Sequence, residues 1–385
     1  MVIEHGDRLV LPTRSSLDNI LKITFVVAGW GLSGGDRVIA IYADRLRKRG
    51  HDVLLVAPAL GKPSLGARVV GAFRQILNPL PEPAADLTHL NAEVARRRSR
   101  RVGVVDADDV PDSDVVIATW WETAEWVNAY PASKGAKAYF VQHHEVHSYL
   151  PVERVRATYR LPLFQIVIAR WLADVMRNDY GVDELEIVPN SVDHAQFHAA
   201  PRTKQARPTV GVLYATADWK RFEVALQAIK DVHSRVPNLR VRCFGGEQPE
   251  APFPDFFEFT HAPAQSVLRD IYSACDVWLT ASSSEGFNLT AMEAMACRTP
   301  VVATRTGWPA EAVIDGVNGA CVAVDDVDAL ARETERVLNL AEPAWQAMSE
   351  RAFATVRDSS WERSTELFEA ALIHAVAHAR AREGA

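Results

Sequence analysis

Two carboxylates bracket the stretch with the densest chemistry, Ser282-Ser283-Ser284-Glu285-Gly286-Phe287-Asn288-Leu289-Thr290-Ala291-Met292-Glu293. The apolar run Asp276 to Ala281 before it reads as a buried parallel strand, and the Ala-Met-rich run after it as a helix. The loop between them therefore lies at the carboxyl end of a strand, where open α/β sheets bind ligands. The first helical amides, around Gly286, Phe287, Asn288, Leu289 and Thr290, have no partner within the helix. With the helix dipole they form an anion site. Ionised carboxylates only accept hydrogen bonds, so Glu285 and Glu293 call for hydroxyl partners. A phosphate with a polyol on each side meets all these demands, which describes a sugar nucleotide. Glu293 would take the ribose hydroxyls and Glu285 those of the transferred sugar. Glutamates near a helix start are also ordinary dipole partners; the Gly-Phe-Asn-Leu turn between these two is what argues for chemistry.

Glu285 to Glu293, followed by Ala294-Met295-Ala296, resembles the E-x7-E signature of retaining GT-B glycosyltransferases of the glycosyltransferase 4 family. The resemblance extends over most of the chain and is strongest from Val277 to Asn318. It implies two Rossmann-like domains facing an interdomain cleft, a nucleotide-sugar donor (UDP-, GDP- or dTDP-linked) and an alcohol acceptor. Attack would come from the leaving-group side, with the departing phosphate accepting the proton. The family places an Arg after one strand and a Lys before the next helix to hold the diphosphate. Lys220 matches the Lys, but Tyr214 or Ala215 stands where the Arg belongs, and Arg221 is the substitute at hand. Loss of one preorganised donor from such a site costs roughly 10²–10³ in rate.

Other polar positions are tied to strand ends. Leu21 to Ala28 reads as the first strand, followed by Gly34-Gly35, a helix from about Val38 to Arg49, and a strand over Asp52 to Ala57. This is a βαβ unit with a glycine-rich first turn. Dinucleotide binding is the rival reading. It is disfavoured by the absence of G-x-G-x-x-G spacing and of an acidic residue after the second strand. The Gly-Gly resembles the GT-B first loop, whose amides approach the donor phosphates. Further on, Tyr139-Phe140-Val141-Gln142 leads into His143-His144-Glu145. Adjacent histidines on an extended segment point to opposite sides, so they do not converge on a metal, and no metal or cofactor is expected. This element, with Thr119-Trp120-Trp121-Glu122-Thr123-Ala124, resembles a rhamnosyltransferase-like branch of the family. There His143 or His144 would hydrogen-bond a sugar hydroxyl or assist the acceptor proton.

The chain has 385 residues, 48% hydrophobic and 24% charged, enough for two cored domains. We expect an N-terminal acceptor domain over 1–200, with 1–19 a polar extension, and a nucleotide-sugar domain over 201–360. A C-terminal helix over 361–385 would pack back on the first domain. Ala199 to Gln205 reads as the linker. The formal charge of −7 argues against a generic nucleic-acid binder. Cys243, Cys275, Cys297 and Cys321 sit in apolar segments without a Cys-x-x-Cys pair, which fits buried thiols in a cytosolic protein. No apolar run is long enough to span a bilayer, and the first residues lack the build of a signal peptide. Cytoplasmic residence, including the inner face of the membrane, is the default. The run Arg96, Arg97, Arg98, Arg100 and Arg101 reads as a solvated, mobile like-charge segment. Its sharper reading is contact with an anionic membrane or a lipid-linked acceptor.

These observations lead to a retaining, metal-independent hexosyl- or deoxyhexosyltransferase in polysaccharide or glycolipid assembly. A catalytically silent GT-B binding subunit and a sugar-nucleotide epimerase are the alternatives.

Overall fold

Short apolar runs build both halves of the protein. The computed structural model describes residues 20–31, 33–60, 89–236 and 238–383. Val-Val-Ile-Ala of Val115–Ala118 and Val-Val-Ala-Thr of Val301–Thr304 are buried along their full length. Strands covered on both faces read as continuous apolar runs rather than alternating ones. The described chain divides into two compact units. The first comprises the residues up to Val167, Met176–Val188 and those from Thr365 on. The second comprises Ile168–Val175 and Pro189–Ser364.

In the first unit the strands are β1 (Lys22–Val26), β2 (Asp52–Ala59), β3 (Ala95–Val102), β4 (Val115–Ala118), β5 (Ala136–Val141), β6 (Phe164–Val167) and β7 (Leu185–Ile187). They pair in parallel in the order β3-β2-β1-β4-β5-β6-β7. The second unit holds β8 (Thr209–Leu213), β9 (Arg240–Gly245), β10 (Phe257–His261), β11 (Val277–Thr280), β12 (Val301–Thr304) and β13 (Gly319–Val322). Its order, β10-β9-β8-β11-β12-β13, repeats the same pattern, also in parallel. Each sheet thus reverses direction at one point: between β1 and β4, and between β8 and β11. In doubly wound sheets, ligands bind at the carboxyl ends flanking that reversal. Trp278 on β11 crosses Gly211 on β8, where an added Cβ would lie 2.3 Å from the indole. One of the two fully buried tryptophans of this unit therefore has a glycine for its neighbour.

Three expectations change. The arginine run is not a mobile segment; it forms β3, an edge strand paired with β2. Arg98 lies 4.0 Å over the Trp30 ring, Arg100 pairs with Asp109, and Arg101 with Asp106. The helix expected from Val38 begins at Gly34, because Ser33 caps it by accepting from Asp36 N. Ala199 to Gln205 is pinned rather than loose. Arg202 donates to the Cys275 carbonyl and Thr299 Oγ1 and lies 4.7 Å over Trp345, while Lys204 Nζ reaches the Leu338 and Leu340 carbonyls. The chain passes between the units after Val167, Val175, Val188 and Ser364. The expected polar extension, 1–19, lies outside the described residues.

The last helix, Trp361–Glu383, places Phe368 against Tyr42 and Phe140, with centroids 4.3 and 5.0 Å apart. The next residue, Glu369, accepts from Arg49 and from His51 Nε2, the latter at 2.6 Å. His51 Nδ1 in turn accepts from Leu21 N, so the neutral ring carries its proton on Nε2. Among the described residues no helix is long and apolar enough to cross a membrane.

Candidate functional site

Two loops meet at the reversal point of the second sheet. The loop after β8 ends in the turn Asp218–Lys220 and enters the helix Phe222–Arg235 through Arg221, whose φ of 49° is left-handed. The loop after β11 carries Ser282 to Asn288 and enters the helix Leu289–Ala296. Ser283 N donates to the Trp219 carbonyl at 2.8 Å and joins them. Lys220 Nζ then reaches Glu285 Oε1 at 2.7 Å, and Ser282 Oγ donates to the same oxygen at 2.7 Å. Glu285 is 8% exposed. Lys220, Ser282, Glu285 and Thr290 line a small cavity of about 20 Å³, room for about one water.

The start of the helix Leu289–Ala296 leaves several amides over. Asn288, at φ 78°, caps with its side chain on Ala291 N and donates to Thr280 Oγ1 at 3.0 Å. Among the described residues no acceptor takes the amides of Phe287, Asn288 or Leu289. Glu293, two turns on, is buried and accepts from Tyr272 OH at 2.8 Å. Beneath the loop lies the turn after β12. An added Cβ on Gly307 would lie 2.7 Å from Glu285 Cβ, and its φ of +57° is strained for any other residue. Trp308 N donates to the Phe287 carbonyl, and the two rings stack at 5.7 Å.

Of the sequence-predicted residues, Lys220, Glu285, Gly286, Phe287, Asn288, Leu289 and Thr290 come together here, with Glu293 behind them. Arg221 does not join Lys220: both ends of its guanidinium pair with Asp325 at 3.1 Å. Where the missing Arg would stand, Tyr214 packs its ring among Phe222, Phe253 and Phe259. Next to it, Thr216 donates from N and Oγ1 to Glu247, which holds that carboxyl below its usual range.

In the first unit, Gly34 and Gly35 form the first turn of the helix Gly34–Lys48, and Gln142 Nε2 donates to the Gly35 carbonyl at 3.4 Å. The histidines part as their adjacency requires. His143 stacks on His147, which stacks on Tyr149, while His144 Nε2 meets Tyr180 OH at 2.6 Å. Burial pushes the His144 pKa down, against a smaller opposing pull from Asp179. Between them Glu145 is buried, accepting from Trp121 N at 3.2 Å and donating its own N–H to Tyr159 OH at 2.8 Å. Burial drives its carboxyl well above the usual range, more than the Trp121 amide lowers it. Among the described residues no cluster of three or more potential metal ligands occurs.

Sequence reasoning gave no role to Ser282, Tyr272, Glu145, Gly307 or Trp171. Only Ser282 and Glu145 left a signal, each in an element already singled out, the Ser282 to Glu293 stretch and the His-His-Glu strand end.

Comparison with known proteins bears on both units. Residues 32–196 match the family model "Glycosyltransferase Family 4", and residues 207–340 match "Glycosyl transferases group 1". A curated relative from Nocardiopsis dassonvillei, a D-inositol 3-phosphate glycosyltransferase, is 46% identical over 45% of this chain and 46% of its own length. Its counterpart from Actinosynnema mirum is 38% identical over 52% of this chain and 54% of its length. The chain thus spans about half the length of these relatives. In fold it is similar to sucrose-phosphate synthase from Thermosynechococcus elongatus (TM-score 0.71, 16% identity, 93% of this chain, 100% of that one). It is also similar to Anabaena HepE in complex with UDP-glucose (TM-score 0.69, 15% identity, 91% and 99%). The two parallel-sheet units are those of the GT-B fold.

Proposed function

We propose that this chain, which carries a glycosyltransferase family 4 domain followed by a glycosyl transferases group 1 domain, moves a sugar from a nucleotide-sugar donor to an alcohol with retention of configuration. The observation that carries the reading is the 2.7 Å Lys220–Glu285 contact beside uncapped helix amides at the reversal point of the second sheet. A cation and donor amides side by side suit a diphosphate, and an acceptor-only carboxylate next to them suits hydroxyls.

On this reading the diphosphate draws Lys220 from Glu285 and frees that carboxylate to orient the sugar. Glu293, already accepting a hydroxyl from Tyr272, takes the ribose. The acceptor oxygen bonds to the anomeric carbon as the bond from that carbon to the phosphate oxygen breaks. The departing phosphate takes the acceptor's proton. Negative charge grows on the leaving group, and Lys220 with the Phe287 to Leu289 amides offsets it, so the step is written without a metal. The amides of Gly34 and Gly35 approach the donor phosphates, and His143 and His144 serve the sugar or acceptor hydroxyls. The HepE complex holds UDP-glucose, which makes UDP-sugars the first donors to try. The product is a cell-surface polysaccharide or glycolipid, made at the inner face of the membrane, with Arg96 to Arg101 drawn to an anionic surface.

The test is incubation with radiolabelled UDP-, GDP- and dTDP-sugars in chelator, with D-inositol 3-phosphate, the compound in the relatives' names, and lipid extracts as acceptors. Product NMR then reads the anomeric configuration. Transfer or slow donor hydrolysis with retained configuration supports the reading. Release of a free epimer would make the protein an epimerase. Tight binding without turnover would make it a silent subunit.

A further inference from the structure

The loop that carries Gly286 and Phe287 is held from outside by two donors, one from a residue distant in sequence. The indole Nε1–H of Trp171 donates to the Gly286 carbonyl at 3.0 Å, and Trp308 N donates to the Phe287 carbonyl at 2.9 Å. A trans peptide is planar, with its C=O and N–H pointing in opposite directions. Pinning the Gly286 carbonyl on the indole therefore turns the Phe287 N–H away from Trp171. Trp308 does the same for the Asn288 N–H.

Trp171 is itself fixed. It opens the helix Arg170–Tyr180, where its N–H lacks an intrahelical partner. Glu311 Oε1 accepts that N–H at 2.6 Å, and Arg170 Nε stands 3.4 Å from the other oxygen. Glu311 belongs to the short helix Pro309–Ala312, which follows Gly307 and Trp308. The circuit closes: Trp171 to Gly286, Phe287 to Trp308, Glu311 back to Trp171. A loop rich in small and polar residues gains from it a single peptide orientation before any ligand arrives. Preorganised donors are worth most where charge develops during reaction.

We propose that Trp171 is a positioning residue for the donor diphosphate, acting through the Gly286 carbonyl to aim the Phe287 amide at the phosphate. The inference rests on the nucleotide-sugar reading of this site. Trp171 acts through the dipole of a peptide group, so its effect falls on the charge that grows on the leaving group more than on the bound donor.

The full chain is compared with Trp171→Phe and with a protein carrying β-(3-benzothienyl)alanine at position 171, in which sulfur replaces the indole N–H at equal ring size. With the donor that the unaltered protein turns over, both changes should lower kcat by about tenfold, leave donor KM within about threefold, and leave the unfolding midpoint in place. A benzothienyl protein with the unaltered rate would overturn the proposal, because ring packing would then suffice. A second readout is direct binding of UDP and of uridine. Loss confined to the diphosphate supports the role, and equal loss for both overturns it. If the unaltered protein binds and turns over no nucleotide sugar, the functional reading itself falls. If it turns donor over and the variants match it, only the role of Trp171 falls.

Discussion

Glu285 and Glu293 lie at two ends of one ligand in the proposed function, so their removal should be felt in different constants. Glu293→Ala should weaken nucleotide binding by about tenfold or more, the scale of a lost charged hydrogen bond. Glu285→Ala should lower kcat by about 10²-fold with a smaller change in donor KM. Steady-state kinetics and calorimetric titration separate the two, and unchanged values in both would remove the site assignment. Gly307→Ala tests the support beneath them. Its Cβ would meet Glu285 Cβ at 2.7 Å in a left-handed backbone, so we expect about 1–3 kcal/mol of lost stability together with lowered kcat. Glu145 offers a test by pH. Its raised carboxyl pKa keeps it protonated in the folded chain at pH values where the unfolded chain has ionised. The unfolded state then binds fewer protons, and this group's contribution falls as pH rises above the usual carboxylate range. Glu145→Gln should remove up to about 1.4 kcal/mol of slope per pH unit. The variant should thus gain on the unaltered protein in denaturant melts at pH 8 and lose that advantage near pH 4.

At the level of elements, legibility followed burial. The strands β4, β11 and β12 are covered on both faces, and their apolar runs announce them. β3 was misread because an edge strand needs little burial: of Ala95–Val102 only Ser99 is buried, its hydroxyl accepting from Ala59 N and engaging the Arg101 and Val104 carbonyls. Arginines over an aromatic ring and beside aspartates then satisfy what composition reports as repulsion. Gly34 and Gly35 are poor helix formers, yet Ser33 and Gln142 hold them in a first turn, a tertiary effect that propensity does not carry. The segment around Arg202 reads as a linker by composition, but its guanidinium supplies the Cys275 carbonyl and covers Trp345. Burial lowers the Arg202 pKa, with Asp276 opposing. Arg202→Ala should therefore cost about 2–4 kcal/mol in chemical denaturation of the second unit. A loss below about 0.5 kcal/mol would return the segment to the status of a tether.

For the whole molecule, a first βαβ unit was legible, because parallel strands need a crossover helix, while the pair of Rossmann-like domains followed from the family resemblance and the strand order from neither. The Glu285 loop was also readable, since a strand end, a turn and a helix start leave local marks, and Lys220 followed from the family resemblance. What holds them was not. Trp171 and Gly307 are distant in sequence from the residues they fix, and a single tryptophan or glycine carries no pattern. The formal charge of −7 would repel a nucleotide diphosphate at long range. Lys220, paired with Glu285, offers little local counterweight. Capture of the donor should consequently gain nothing from electrostatic steering: its association rate constant should rise from dilute to physiological salt as the repulsion is screened, and the recognition energy should arise only after contact, once the lysine has exchanged one anion for another.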